Sequence, residues 1–243
     1  MSPSAPRGEE VSRPTTYVVD IECIGVPWKS LDEKTHEYLL GRCDSDAERE
    51  AIPLRLGLSP GTGRVIVIGM WNVDKGTGGV LVEGRSKGWH DGGPQGYRRF
   101  DGDEKELLEA FWKTVAGPNR VVTYNGRGFD LPYLMIRSAM LGVAPSRNFV
   151  GQRFSIDPHC DLQELLNFFG AVRTTYSLDY WCRRFGITSP KEDGLEGSLV
   201  QSYYDSGRLE EIVQYCCRDV KATAELYCRL RETLLPLYER SRY

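Results

Sequence analysis

The chain has 243 residues, among them 26 Gly and 13 Pro, with 40% hydrophobic and 27% charged residues and a formal charge of -3. That balance excludes collagen-like, coiled-coil and wholly disordered classes, and the length suits one packed α/β domain. The longest apolar runs, Tyr17 to Val19 and Val65 to Met70, are strand-sized, well short of the roughly 18 residues a membrane span needs, so no membrane partner is expected.

Met1 to Pro14 is a small-residue, charged segment with no apolar core. It reads as a short disordered tail rather than a secretory signal, leaving residues 15–243 as a single domain. Thr16 to Cys23 (TYVVDIEC) is an apolar strand interrupted by Asp20 and Glu22. One residue apart in a strand, the two acids share a face. Removing unpaired carboxylates from water costs roughly several kcal/mol each, so they must meet an open sheet end or share a cation.

Residues 29–56 read as an irregular or helical insertion, and Gly61 to Arg64 as a turn without the spacing of a phosphate loop. Arg64 to Asn72 (RVIVIGMWN) is a second strand, and a Gly-rich turn at 76–79 leads into a hairpin partner, Gly79 to Val82. Arg85 to Gly102 reads as a Gly-rich loop. Asp103 to Val115 carries Leu107, Leu108, Phe111 and Trp112 at helical spacing and Arg120 to Tyr124 is a strand, a β-α-β crossover.

The strand then enters a Gly-rich turn and a helix, Asp130 to Leu141, where Asp130 suits an N-cap and Pro132 is tolerated in the first turn. Further helices are expected at Asp161 to Phe169, Ser177 to Phe185 and Leu209 to about Leu234. In the last, Leu209, Ile212, Val213, Cys216, Val220, Ala224, Tyr227 and Leu230 form a core stripe. Tyr215 and Asp219 share a face at its edge. Strands dominate the first half and helices the second, which predicts a mixed sheet with helices packed on it.

Seven cysteines without a C-x-x-C pair argue against a disulfide framework or zinc knuckle. Reduced thiols and a cytoplasmic location are expected. His36, His90 and His159 stand in unrelated contexts, so any metal must use carboxylates.

Taken in order, D-x-E on a first strand, N-x-x-x-F-D at a strand-to-helix turn and Y-x-x-x-D on a late helix resemble the three motifs of the DEDD exonuclease superfamily, tyrosine-bearing (DEDDy) branch. Asp20-Ile21-Glu22-Cys23-Ile24-Gly25, Tyr124-Asn125 with Phe129 to Leu134, and Tyr215-Cys216-Cys217-Arg218-Asp219 look like the proofreading domain of B-family DNA polymerases and the stand-alone predicted exonucleases similar to it. The resemblance spans Tyr17 to about Leu235. Too few residues follow Asp219 for a polymerase palm, so the chain itself is not read as a polymerase.

The resemblance implies an RNase H-like (DnaQ-like) α/β fold and a 3'-5' exonuclease that acts on single-stranded nucleic acid with a free 3' end, DNA preferred. It implies two divalent ions, Mg2+ or Mn2+. Asp20 would bridge both, Glu22 and Asp219 would serve the ion that activates water, and Asp130 the second. Tyr215 would orient the nucleophile, since a tyrosine is a poor base at neutral pH.

Asn125 and Phe129 of the second motif would touch substrate. So would Ser177 and Leu178, which with Trp181 resemble the family's single-strand-contacting [ST]-L-x-x-h element; Ser177 reads equally as a helix cap. Lys191 stands where the family has a lysine, although Gly194 departs from the K-x-x-h pattern. Asp161 is a supporting acid or a cap, the cap being favoured.

The charge of -3 argues against binding nucleic acid by bulk electrostatics. Two bound divalent cations would more than cancel it, leaving Arg98, Arg99, Arg183, Arg184, Arg229 and Arg231 only a few nucleotides to hold. The alternatives are an exoribonuclease of the same superfamily and a non-catalytic nucleic-acid adaptor on the same scaffold.

Overall fold

The computed structural model describes residues 15–117, 119–191 and 194–239; the tail expected at 1–14 lies outside the described residues. The chain runs through β1 (Thr16–Gly25), α1 (Glu33–Leu40), α2 (Asp46–Arg55), β2 (Gly63–Asn72), β3 (Thr77–Glu83), β4 (Gly88–His90), β5 (Tyr97–Gly102) and α3 (Glu104–Thr114). It continues through β6 (Arg120–Thr123), α4 (Asp130–Met140), β7 (His159–Asp161), α5 (Leu162–Leu166), α6 (Leu178–Phe185), α7 (Val200–Asp205), α8 (Leu209–Thr233) and α9 (Leu235–Glu239). Among the described residues no helix is long and apolar enough to cross a membrane.

The described strands form a seven-stranded mixed sheet in the order β4-β5-β3-β2-β1-β6-β7. β1 is antiparallel to β2 and parallel to β6, and β3 is antiparallel to β2 and parallel to β5. The expected crossover into β6 starts from β5 and not from the hairpin strand β3, and α3 passes beneath three strands before the chain rejoins the sheet. Val19, Ile21, Ile68, Met70 and Leu81 pack on one face against Leu107, Phe111, Leu131 and Leu134 of α3 and α4. On the other face Val18 and Val122 meet Val220 and Tyr227, while Val80 and Val82 meet Ile212, Val213 and Cys216. Burial on both faces explains why these strands read as nearly continuous apolar runs.

The structure corrects several boundaries. The Gly-rich loop expected at 85–102 contains β4 and β5. Tyr97 is buried and Phe100 packs on the core, while the Arg99 guanidinium bonds Asp101 and Glu210, so the Arg98-Arg99 pair that reads as loop lies on a strand. The helix expected to reach Phe169 stops at Leu166. There Asn167 caps the next turn through Gly170 N–H, and Phe168 and Phe169 adopt φ of 54° and 55°.

Within the insertion, α1 and α2 are N-capped by Asp32 and Ser45, and neither contains a buried residue. β7 and α7 were not anticipated. Gln201 on α7 accepts the Gly25 N–H at 2.9 Å and so ties down the end of β1.

Candidate active site

Asp20 and Glu22 project from β1 on the Val18 side of the sheet, toward α8. Asp20 is partly exposed and Glu22 buried, 6% exposed. Directly after Glu22 the β1/β2 register slips, with Ile66 unpaired between Glu22↔Val67 and Cys23↔Val65. Bulges of this kind re-aim side chains and cluster beside active sites.

α8 reaches the acids because the residue opposite Asp20 is Gly69. A Cβ there would lie 2.8 Å from Val220 Cγ2 and 2.9 Å from Cys216 Sγ. The missing side chain lets Tyr215 and Asp219 come down onto β1. Tyr215, expected at the edge of the core stripe, is buried, and its hydroxyl bonds to the Asp219 carboxylate.

Asp130 is not the N-cap expected from sequence. Phe129 occupies that position, and Asp130 opens the helix with its Oδ1 accepting the Ile21 N–H of β1 at 3.1 Å. The bond fixes α4 to the strand that carries the other two acids. Glu104 adds a second brace, accepting the Val65 N–H at 2.8 Å and pairing with Arg137 of α4.

The four carboxylates act on one another. Burial raises Asp20 well above the ordinary carboxylate range, helped by Asp130, Asp219 and Glu22; burial also raises Glu22, with Asp219 and Asp130 adding to it. Asp130 is pushed up to about 7, mainly by burial, against the two backbone hydrogen bonds it accepts. Asp219 rises to about 6 through burial, restrained by the Tyr215 hydroxyl, Lys191 and Arg218. Burial, then Asp219, Glu22 and Asp20, pushes the Tyr215 phenol upward, so it stays protonated.

The remaining expected residues divide. Asn125 is exposed at the tip of the turn with φ of 65°, and Phe129 packs on Tyr133. Lys191 is near enough to act on Asp219 while pairing with Glu196 at 3.3 Å. Ser177 caps α6 by accepting the Tyr180 N–H, and Leu178 packs on the core.

Asp161 caps α5, as favoured, but does more. Besides Gln163 and Glu164 N–H it accepts Asn125 N–H at 3.0 Å and Arg127 N–H at 2.9 Å, holding the turn that precedes Asp130. Sequence reading missed that second role, and it missed Cys216. The Cys216 Sγ and one carboxylate oxygen each of Asp20 and Glu22 lie within 4.8 Å of one another.

Residues 96–239 match the model of a family described as "Predicted 3'-5' exonuclease related to the exonuclease domain of PolB", more than half of the chain. A DNA polymerase of Desulfurococcus sp. (strain Tok) is 31% identical over 144 residues, covering 51% of this chain and 18% of that protein. DNA polymerase 1 of Saccharolobus solfataricus is 27% identical over 210 residues, covering 81% of this chain and 22% of its own length. The chain thus spans a minor part of these relatives.

Among solved structures, the family B DNA polymerase from Pyrobaculum calidifontis superposes with a TM-score of 0.56 at 20% identity, over 93% of this chain and 25% of that one. That likeness bears out the RNase H-like fold.

Proposed function

This chain belongs to the predicted 3'-5' exonucleases related to the exonuclease domain of PolB, and we propose that it hydrolyses phosphodiester bonds at the 3' end of single-stranded nucleic acid, DNA in preference to RNA. The reading rests chiefly on one observation. Carboxylates from β1, α4 and α8 converge; burial raises all four, and repulsion from neighbouring carboxylates adds to it at Asp20, Glu22 and Asp130.

The donor set fits hard divalent cations. Its atoms are carboxylate oxygens, and Glu22 is buried with Asp219 and Asp130 near enough to raise it further. Asp20, Glu22, Asp130 and Asp219 would hold two such ions, Mg2+ or Mn2+, with Asp20 shared. Bound there, the ions supply an activated water and neutralise charge developing on the phosphoryl group.

The protein groups do the positioning. Tyr215, protonated and bonded to Asp219, offers its hydroxyl as a hydrogen-bond partner for the attacking water and is not a base. Asn125, Phe129, Ser177, Leu178 and Lys191 are assigned to the strand being degraded. Asn125 and Ser177 are exposed, and Lys191 brings positive charge beside Asp219.

Matched DNA and RNA oligonucleotides labelled at the 5' end, with and without magnesium, test the proposal. Stepwise shortening from the 3' end, faster on DNA and abolished by EDTA, is expected. Digestion undiminished in excess EDTA would refute the metal-dependent reading.

A further inference from the structure

α6 and the turn before it carry a stack of rings that the core does not cover. Tyr176 is 40% exposed, and its ring lies nearly flat on that of Tyr180, with centroids 4.3 Å apart and planes at 15°. Trp181 meets both almost edge-on, at 5.6 Å and 5.3 Å, and is itself packed on the cluster around Val18, Val122 and Val220. The stack backs Tyr176 from one side and leaves apolar ring surface in water, where covering it is favourable.

Hydrogen bonds tie this pair to the acids. Tyr124 stands two residues beyond Val122, as Asp20 stands two beyond its partner Val18, and Tyr124 packs on the same side of the sheet as Val18. From that place beside Asp20 its hydroxyl donates to the Tyr176 carbonyl at 2.5 Å. Ser177 accepts the Tyr180 N–H at 3.2 Å and holds the second ring behind the first. On the other flank of α6, Asp179 accepts the Ser189 hydroxyl, and Ser189 accepts the N–H of Lys191, the residue that brings positive charge to Asp219. Charge favours an anion here. From Ala171 to Ile187 the chain carries three arginines, Arg173, Arg183 and Arg184, against one acid, Asp179, which Arg183 and Ser189 already engage.

We propose that Tyr176, backed by Tyr180, is the platform on which a base of the single strand stacks, just upstream of the nucleotide being removed, while the arginines draw its phosphates. The inference rests on the exonuclease reading and names how that site grips its strand. Every base has a face that stacks on an aromatic ring, so the platform is indifferent to sequence. It discriminates against duplex, in which each base already has its faces covered by its neighbours.

Fluorescence anisotropy of a 5'-labelled single-stranded DNA oligonucleotide in magnesium tests this, with the last linkages made phosphorothioate so that the strand is held and not shortened. Moving one abasic residue stepwise from the 3' end should reveal an upstream position at which binding to the wild-type chain weakens. Tyr176→Ala should weaken binding of the intact strand by roughly 5- to 100-fold and cease to respond to the abasic residue at that position. Tyr176→Phe, which keeps the ring, should restore most of the affinity. Tyr176→Leu keeps apolar bulk without a ring and serves if the alanine variant does not fold.

An abasic series with no sensitive upstream position, unaltered affinity in the ring-free variant, or a variant as sensitive to the abasic residue as the wild type overturns the platform. Cleavage of an ordinary 5'-labelled strand is read separately. Shortening from the 3' end without the Tyr176-dependent base effect defeats only the platform, and that effect without shortening defeats only the exonuclease reading.

Discussion

Replacing Asp130 by Asn removes one charge from the cluster while keeping an oxygen to accept the Ile21 N–H, and its effect on stability is expected to depend on pH. In the folded chain Asp130 titrates near 7 against an ordinary 3.8, chiefly because it is buried. At about 1.4 kcal/mol per unit, the shift is worth on the order of 4 kcal/mol. The folded state binds this proton more tightly than the unfolded chain does. Its contribution is therefore complete below pH 3.8 and is lost as pH rises through about 7.

His159 works in the opposite direction. Buried, and repelled by Arg127, it is held down to about 3 from an ordinary 6.5, so its contribution grows as pH rises through that window. A wild-type pH profile mixes these with the other raised carboxylates, Asp20, Glu22 and Asp219, but the difference between variant and wild type removes the histidine.

Urea unfolding in EDTA should show Asp130→Asn gaining on wild type by several kcal/mol between acid and mildly alkaline pH, since Asp130 also raises Asp20 and Glu22. Excess magnesium should narrow the alkaline gap by stabilising the wild type preferentially. A difference independent of pH, or one of opposite slope, would refute the account of the cluster.

Asp20→Ala should abolish turnover and leave the fold intact, because it removes an acid that two cations would share and relieves repulsion in their absence; a cleavage assay beside circular dichroism checks both. Tyr215→Phe keeps the buried ring but loses the hydroxyl bonded to Asp219. Single-turnover cleavage should slow by roughly 10- to 1,000-fold while metal-dependent DNA binding persists, and an unchanged rate would return Tyr215 to a packing role.

Gly69→Ala drives a methyl group into Val220 and Cys216. It should cost about 1–3 kcal/mol in denaturant melts and reduce cleavage by lifting α8 from β1. Asp161→Ala strips the acceptor from four backbone N–H groups and should destabilise by about 3 kcal/mol, with Asp161→Asn losing less.

The acids themselves were legible because each stood in a local pattern. Asp20 and Glu22 interrupt an apolar strand, and Tyr215 and Asp219 keep helical spacing beside the core stripe of α8. What was not legible depended on contacts between elements distant in sequence. Asp130 reads as a cap because Asp favours that position, and only the approach of α4 to β1 shows its oxygen on Ile21 N–H instead.

Cys216 fits the apolar stripe so well that nothing in the helix distinguishes it from core; the empty Cβ position of Gly69 brings it against Asp20. β5 was hidden by Arg98 and Arg99, since the pairing of Arg99 with Glu210 joins residues more than a hundred positions apart. α7, only six residues long, is too short for its periodicity to show.

The net charge says little about the site for a related reason. Many of the cations are spent on braces that hold the acid-bearing elements. Arg137 pairs with Glu104 to hold α4, Arg127 with Glu164 to hold the turn before it, Arg99 with Glu210 to hold the start of α8, and Arg64 with Glu83 across β2 and β3. Those pairs balance one another, and among the described residues Lys191 and Arg218 are the cations that lower Asp219. A phosphate approaching the acids alone would meet repulsion. Under the proposed function a phosphate would reach them only together with cations, so binding of a 3' end should depend on divalent ions even where no bond is cleaved: the demand for positive charge that makes the site costly in the bare protein is what bound cations would meet.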